Sequence, residues 1–139
     1  MPAHTQFVLV LAAIATAAAA LAHFACIPIG SRAYRVMGAG DRAVRAVERG
    51  RAGPHVVAFG VGCALLGAAA YALSGAGFIP RLPLLRSGLF AIAFALLTRA
   101  FAFPLLRARI TGNSERFWRL SSAACLALGA CYLAGAFRS

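Results

Sequence analysis

Four long apolar runs dominate this sequence and decide what kind of fold it can adopt. The hydrocarbon core of a bilayer is about 30 Å thick, so a helix needs roughly 20 apolar residues to cross it. The chain offers such a length in four places. We predict transmembrane helices over residues 7–29, 55–79, 87–106 and 120–137.

The overall composition agrees with a membrane protein. Apolar residues make up 62% of the chain and charged residues 12%, whereas soluble domains are about a quarter charged. Too few polar side chains are present to cover a water-exposed surface. We expect residues 1–139 to form a single integral membrane domain, an all-α bundle of four transmembrane helices.

The first apolar run has one feature of a secretory signal peptide, because residues 20–22 (Ala-Leu-Ala) resemble a cleavage site. A signal peptide carries its basic residues before the apolar stretch. Here no Arg or Lys precedes the run, whereas Arg32 and Arg35 follow it closely. We therefore expect the first helix to be retained.

The basic residues are all Arg, and their distribution predicts the orientation. Fourteen arginines and three acids give a net charge of +11, and ten of the arginines lie in residues 30–54 and 107–119. Cytoplasmic loops are enriched in basic residues, so both segments are predicted to be cytoplasmic loops of a bacterial inner (plasma) membrane protein with both termini outside. This placement, without a nucleic-acid-binding motif, argues against nucleic acid as a partner.

The first Arg-rich segment has the pattern of a short amphipathic helix. Asp41 is a suitable N-cap, Gly50 a suitable C′ residue and Pro54 a stop signal. The helix is predicted either to lie on the cytoplasmic surface with its arginines against anionic lipid, or to be an ordinary solvated connection. The arginines concerned are Arg42, Arg45 and Arg49.

Arg99 is the most informative single residue, because it lies inside the third apolar run. An Arg near mid-helix costs about 2.5–3.5 kcal/mol on insertion scales, and it usually faces the bundle or a wet cavity. In a continuous helix, Arg99 lies roughly 10 Å from the cytoplasmic end. Two interpretations stay open. Arg99 either binds a carboxylate, phosphate or lipid headgroup, or it extends to the headgroups or bonds backbone carbonyls near Pro104.

The two halves of the chain share a weak pattern that points to a second candidate. Counting back five residues from Pro28 and from Pro104 gives His23 and Arg99. A parallel 2+2 repeat would place these residues at similar depth, so His23 is named with Arg99 as a candidate binding residue. The alternative for His23 is a neutral side chain that is hydrogen-bonded within the bundle.

Other chemistry is poorly represented. No acid lies in any predicted span, although proton- and cation-coupled transporters depend on such groups. The cysteines lie in apolar runs without C-x-x-C spacing, which favours packing over redox or zinc chemistry. They are Cys26, Cys63, Cys125 and Cys131. No catalytic residue, metal or cofactor is expected.

Small residues recur at every fourth position in two helices, which favours a compact bundle, a homo-oligomer or a membrane-protein partner. The two sets are Gly60, Ala64 and Ala68, and Ser121, Cys125 and Gly129. Trp118, Tyr71 and Tyr132 are interpreted as anchors at the membrane interface. The favoured function is a non-catalytic accessory, scaffold or lipid-interacting protein. The alternative is a small-anion or lipid transporter, or a membrane enzyme, centred on Arg99 and His23.

Overall fold

The computed structural model describes residues 3–139, which form helices joined by short turns. Four of these helices are long and three are short, which confirms the all-α prediction. The helices are α1 (Ala3–Ile29), α2 (Ser31–Val36), α3 (Asp41–Glu48), α4 (Gly53–Gly75), α5 (Leu85–Phe101), α6 (Phe103–Arg109) and α7 (Glu115–Ala136).

Three of the helices, α1, α4 and α7, are long and apolar enough to cross a bilayer. The third predicted span is not one continuous helix, because α5 ends at Phe101 and α6 follows with a 62° bend. Pro104 explains the break, since it has no amide hydrogen for the carbonyl of Ala100 and its ring crowds that turn. If α5 and α6 together form one broken span, the chain has four candidate spans.

The long helices lie side by side, with α1 packed mainly on α4 and α5 mainly on α7. Contacts of α1 with α7 and of α4 with α5 complete the bundle. At one end, here called the outer end, Arg138 near the C-terminus donates a hydrogen bond to Thr5. At the other, the inner end, the amide of Asp41 donates to the carbonyl of Thr111. The two Arg-rich segments therefore meet at the same end of the bundle.

Small residues, rather than large ones, fill the space between the helices. Leu9 of α1 is fully buried, and it lies against Gly75 of α4 and Gly135 of α7. Many large apolar side chains point outward instead, among them Phe59 and Phe94. Helices in lipid associate through close packing of small residues, because the surrounding lipid is as apolar as leucine. The side-chain arrangement is therefore that of a bundle in an apolar solvent.

A polar pair lies within this packed region. The hydroxyl oxygens of Thr16 and Tyr132 are 3.0 Å apart, and the Thr16 hydroxyl donates to the carbonyl of Ala12. Tyr132 is therefore the donor to Thr16. Because Tyr132 is fully buried, its prediction as an interface anchor is wrong. Its hydroxyl has a partner on α1, which removes the need to reach the membrane surface.

The ends of α3 differ in detail from the sequence pattern. Gly40 is the N-cap, and Asp41 is the first helical residue, where its carboxylate still interacts favourably with the helix dipole. Gly50 follows the last turn with a φ of +70°, as expected of a C′ glycine. Pro54 is the second residue of α4, where no helical hydrogen bond requires its missing amide hydrogen. The prediction that Pro54 acts as a stop signal is therefore wrong, because it lies in the first turn of the next helix.

The two predicted ladders of small residues have different outcomes. Gly129 packs tightly against α5, as a ladder on α7 requires. On α4 only Ala68 is buried, whereas Gly60 and Ala64 are exposed, so these two residues do not pack within this bundle. The side of α4 that faces the bundle contains Gly62, against which the ring of Phe24 lies. A homo-oligomer stays a prediction.

Substitution of Gly135 tests the packing at Leu9. A side chain at Gly135 would overlap the Leu9 methyl groups, so Gly135→Leu is expected to lower the free energy of unfolding by about 1–3 kcal/mol. Gly67→Leu is the matched control, since a Cβ there meets no atom within 4 Å. The measurement is equilibrium unfolding in detergent micelles. Equal stability of the two variants would contradict the packing described here.

Candidate anion site at the inner end

A cavity of about 870 Å³ lies at the inner end, lined by residues of α1 to α5, of α7 and of the segment around residues 109–111. Its size is within the range of about 300–1,000 Å³ that is usual for small-molecule sites. Its walls combine apolar side chains of α4 with charged side chains of the Arg-rich segments. Both residues singled out in the sequence, Arg99 and His23, line it. The structure thus brings the two candidates to one cavity.

Arg99 lies in the last turn of α5. The predicted depth of roughly 10 Å assumed a continuous helix, and the 62° bend after Phe101 removes that assumption. A cation in the last turn is favoured by the helix dipole. One guanidinium nitrogen, Nη2, donates to the Ser121 hydroxyl at 3.1 Å. The guanidinium carbon is 5.4 Å from the ring centroid of Trp118. Trp118 and Ser121 are one turn apart on α7, so this helix holds Arg99 at the cavity wall.

The second terminal nitrogen of Arg99, Nη1, is buried and has no hydrogen-bond partner among residues 3–139. The side chain as a whole is half-buried. An unsatisfied buried donor costs about 1–3 kcal/mol, and a charged one costs more. A guanidinium is a planar fork of donors that matches the oxygens of phosphate or carboxylate. An anion in the cavity would therefore supply the missing acceptor.

The cavity has a large excess of positive charge. Besides Arg99, its lining includes Arg42, Arg45, Arg51 and Arg109, with Asp41 as the acidic member. The two ion pairs found within residues 3–139 join other arginines to acids that are not in the lining. They are Arg35–Glu48 and Arg107–Glu115. The lining arginines are thus not neutralised by these pairs, and a concave site lined by one sign of charge attracts the opposite sign.

The three arginines in and just after α3 differ in their relation to the cavity. Arg42 and Arg45 are exposed and line the cavity, whereas Arg49 is exposed and lies outside the lining. Arg49 forms the C-cap of α3 and therefore follows the last turn. The proposed contact of all three with anionic lipid stays a prediction.

His23 is hydrogen-bonded within the bundle, and its role as a binding residue stays a prediction. Its Nδ1 lies 2.8 Å from the carbonyl oxygen of Ala19. A carbonyl can only accept, so Nδ1 carries the proton in this bond. The ring is thus hydrogen-bonded within α1 and still lines the cavity. The Nδ1 hydrogen of His23 is donated to the backbone rather than to a carboxylate.

Tyr34 of α2 forms another part of the lining and connects the inner segment to α4. Its hydroxyl is 2.9 Å from Nδ1 of His55, and the two rings meet edge to face. Burial raises the pKa of the Tyr34 hydroxyl above its usual value, and the nearby Cys26 adds to this. The hydroxyl is therefore neutral at physiological pH and available to hydrogen-bond His55.

The two Arg-rich segments are joined directly below the cavity. The side-chain amide of Asn113 donates to the carbonyl of Gly38 at 2.8 Å. Gly112 has a φ of +96°, and any Cβ at that position would overlap the carboxylate of Asp41. Only glycine combines this backbone conformation with such a close approach. The segments around α3 and before α7 therefore hold each other in place.

Sequence reasoning missed several residues of the site. Trp118 was interpreted as an interface anchor, but it is only 2% exposed and faces Arg99. Arg51 and Arg109 were counted only for orientation, and Ser121 only as a small packing residue. Two sequence features could have indicated these residues: Arg51 and Arg109 belong to the Arg-rich segments, and Trp118 and Ser121 are one helical turn apart. Neither feature identifies a site until the packing of α5 against α7 is known.

Comparisons with known proteins find no match to a family model, to a curated protein or to a solved structure. Among residues 3–139, no group of three or more His, Cys, Asp or Glu side chains is placed to hold a metal ion. The four cysteines are free thiols.

Proposed function

We propose that this chain is a small, non-catalytic protein of the bacterial inner membrane that binds a phosphate-bearing anion in its inner cavity. The observation that carries the proposal is the buried Nη1 of Arg99, which has no partner among the described residues. Arg99 lines the cavity, so a small rotation of its guanidinium would bring this nitrogen to a ligand oxygen there. Such a contact would be a charge-assisted hydrogen bond, the stronger class of hydrogen bond in proteins.

The other lining arginines support a ligand with more than one negative oxygen. A phosphate offers several acceptors, so Arg99 and a second arginine such as Arg109 can bind one group together. A carboxylate and a lipid phosphodiester each carry one negative charge, but the four phosphate oxygens are arranged tetrahedrally rather than in one plane, so two arginines can approach from different sides. Phosphate is thus the anion that this lining favours.

The packed outer half of the bundle supports binding over transport. Leu9, Leu89, Ala93 and Tyr132 are fully buried there, although a second cavity of about 450 Å³ lies at the outer end, where Gln6, Ser74 and Arg138 line it. A transport path would require these helices to separate.

Catalysis has less support too, because a general base needs a nucleophile or carboxylate within hydrogen-bond reach. Nδ1 of His23 and the thiol of Cys26, which both line the cavity, donate instead to the backbone carbonyls of Ala19 and Ala22.

The proposed topology has four crossings, with α5 and α6 forming one broken span. Both termini are placed outside and residues 30–54 and 107–119 in the cytoplasm, since basic loops stay on the cytoplasmic side. The meeting of these two segments at the inner end supports this assignment. The close packing of Leu9 against α4 and α7 supports a retained first helix.

The proposed 2+2 repeat has one supporting observation. His23 and Arg99, which correspond under that repeat, line one cavity from α1 and α5. The bend before Pro104 is a difference between the halves, because α1 continues as a helix through Pro28.

The substitution Arg99→Gln tests the binding proposal. Loss of a charged hydrogen-bond donor costs about 1.5–3 kcal/mol, so the affinity for phosphatidylglycerol should fall about tenfold to a hundredfold. Titration of the purified protein with this lipid, followed by native mass spectrometry, measures the affinity. Arg116→Gln removes the same charge from an exposed position outside the cavity lining and should change the affinity less than twofold. If both variants bind equally well, Arg99 does not hold the anion.

Cysteine labelling tests the proposed orientation. In a variant with the four native cysteines replaced, Arg81→Cys should react with an impermeant maleimide on intact spheroplasts. Arg45→Cys should react only after permeabilisation, because it lies in a segment assigned to the cytoplasm. The reverse pattern would show that the bundle is inserted the other way round.

A further inference from the structure

The cavity has an apolar edge that the bound anion itself does not require. Three residues of α4 in the lining, Pro54, Val57 and Val61, recur at intervals of about one helical turn. Val57 and Val61 are 66% and 38% exposed. Next to them on α4 lie Val56 and Gly60, which are exposed but outside the lining, so the two valines form the border between the cavity and the outer surface. The cavity therefore reaches the side of the bundle along this stripe.

The packing of the neighbouring helices explains why the side is open at this level. Near the outer end α4 and α5 are in contact, since the ring of Tyr71 lies against Gly88. Nearer the inner end, Gly62 of α4 packs against α1. At the corresponding level of α5, Leu97 packs against Gly129 of α7. The inner halves of α4 and α5 thus each pack on a different partner, and the cavity lies between them.

We propose that the anion is the headgroup of a membrane lipid, whose acyl chains leave the cavity through an apolar window edged by Val57 and Val61. This inference rests on the proposed function, because it needs Arg99 to bind the phosphate. Arg99 lies in the last turn of α5, close to the inner end. Val61 lies about 6 Å farther from that end than Val57, at 1.5 Å per residue. The stripe therefore leads from the charged part of the cavity toward the hydrocarbon.

A lipid fits this combination better than a soluble anion does. A soluble phosphate uses the arginines but gains nothing from an exposed apolar edge. A lipid uses both, since its phosphate meets the arginines while its chains contact valine side chains at the protein surface. The window also lets a ligand enter sideways from the bilayer, without passing the joined segments at the inner end.

Filling the window with large side chains tests the inference. Val57→Trp combined with Val61→Trp should lower the affinity for phosphatidylglycerol at least tenfold, with the binding of inorganic phosphate changed less than twofold. Val56→Trp is the matched control, because Val56 is 69% exposed on the same helix but lies outside the cavity lining. This control should change neither affinity more than twofold. Lipid binding is measured in detergent by native mass spectrometry, and phosphate binding by phosphorus NMR line broadening.

Three results separate the failure of the window from the failure of the site. Unchanged lipid affinity in the double variant overturns the window. An equal loss of affinity for lipid and for phosphate also overturns the window. The smaller change Val57→Phe, in a protein of wild-type thermal stability, should then show the same equal loss, which excludes misfolding as the cause. Unchanged binding of both probes in Arg99→Gln overturns the proposed function itself, whatever the window variants show.

Discussion

The close approach of α1 to α4 and α7 is the constraint on which the rest of the bundle depends. Leu9 occupies the space between Gly75 and Gly135. A Cβ added at either glycine would lie closer to the Leu9 methyl groups than an ordinary van der Waals contact allows. In lipid no hydrophobic force drives helices together, so such contacts and a few polar ones must hold the bundle. The Thr16–Tyr132 hydrogen bond is one of these polar contacts.

The tight outer half and the open inner half are two results of the same helix pairing. Near the outer end, α4 is in contact with α5 as well as with α1. Toward the inner end, α4 stays on α1 and α5 stays on α7, so a space opens between the pairs. Several arginines line this space, and the three acids of the chain are too few to neutralise their charge. The charge excess from which the orientation is predicted thus also gives the cavity its positive lining.

Much of the fold could be predicted from hydrophobicity alone. The apolar runs located α1, α4 and α7, and the ends of α3 were found through Asp41 and Gly50 to within about one residue. The break in the third run was missed, although Pro104 lies inside it. A proline interrupts one backbone hydrogen bond but does not by itself show how far the helix will bend. Pro28 is the contrasting case, since α1 continues through it.

The site was only partly predictable. Arg99 and His23 stood out because charged or titratable side chains are rare within apolar runs, and both line the cavity. The roles of Trp118, Ser121 and Tyr132 depend on which helices are neighbours, and this pairing is not encoded in any local pattern. Tyr132 illustrates the difficulty, because only a hydroxyl on another helix, that of Thr16, explains why it is buried.

Binding of phosphate by Arg99 within the cavity would be visible in a structure of the protein in lipid. The protein would be reconstituted in nanodiscs that contain phosphatidylglycerol, and its structure determined at a resolution that separates lipid from water. Headgroup density is expected within hydrogen-bond distance, about 3 Å, of Arg99 Nη1. Density for water alone at this nitrogen, or an Arg99 side chain that has left Ser121 and Trp118 for the membrane surface, would contradict phosphate binding by Arg99.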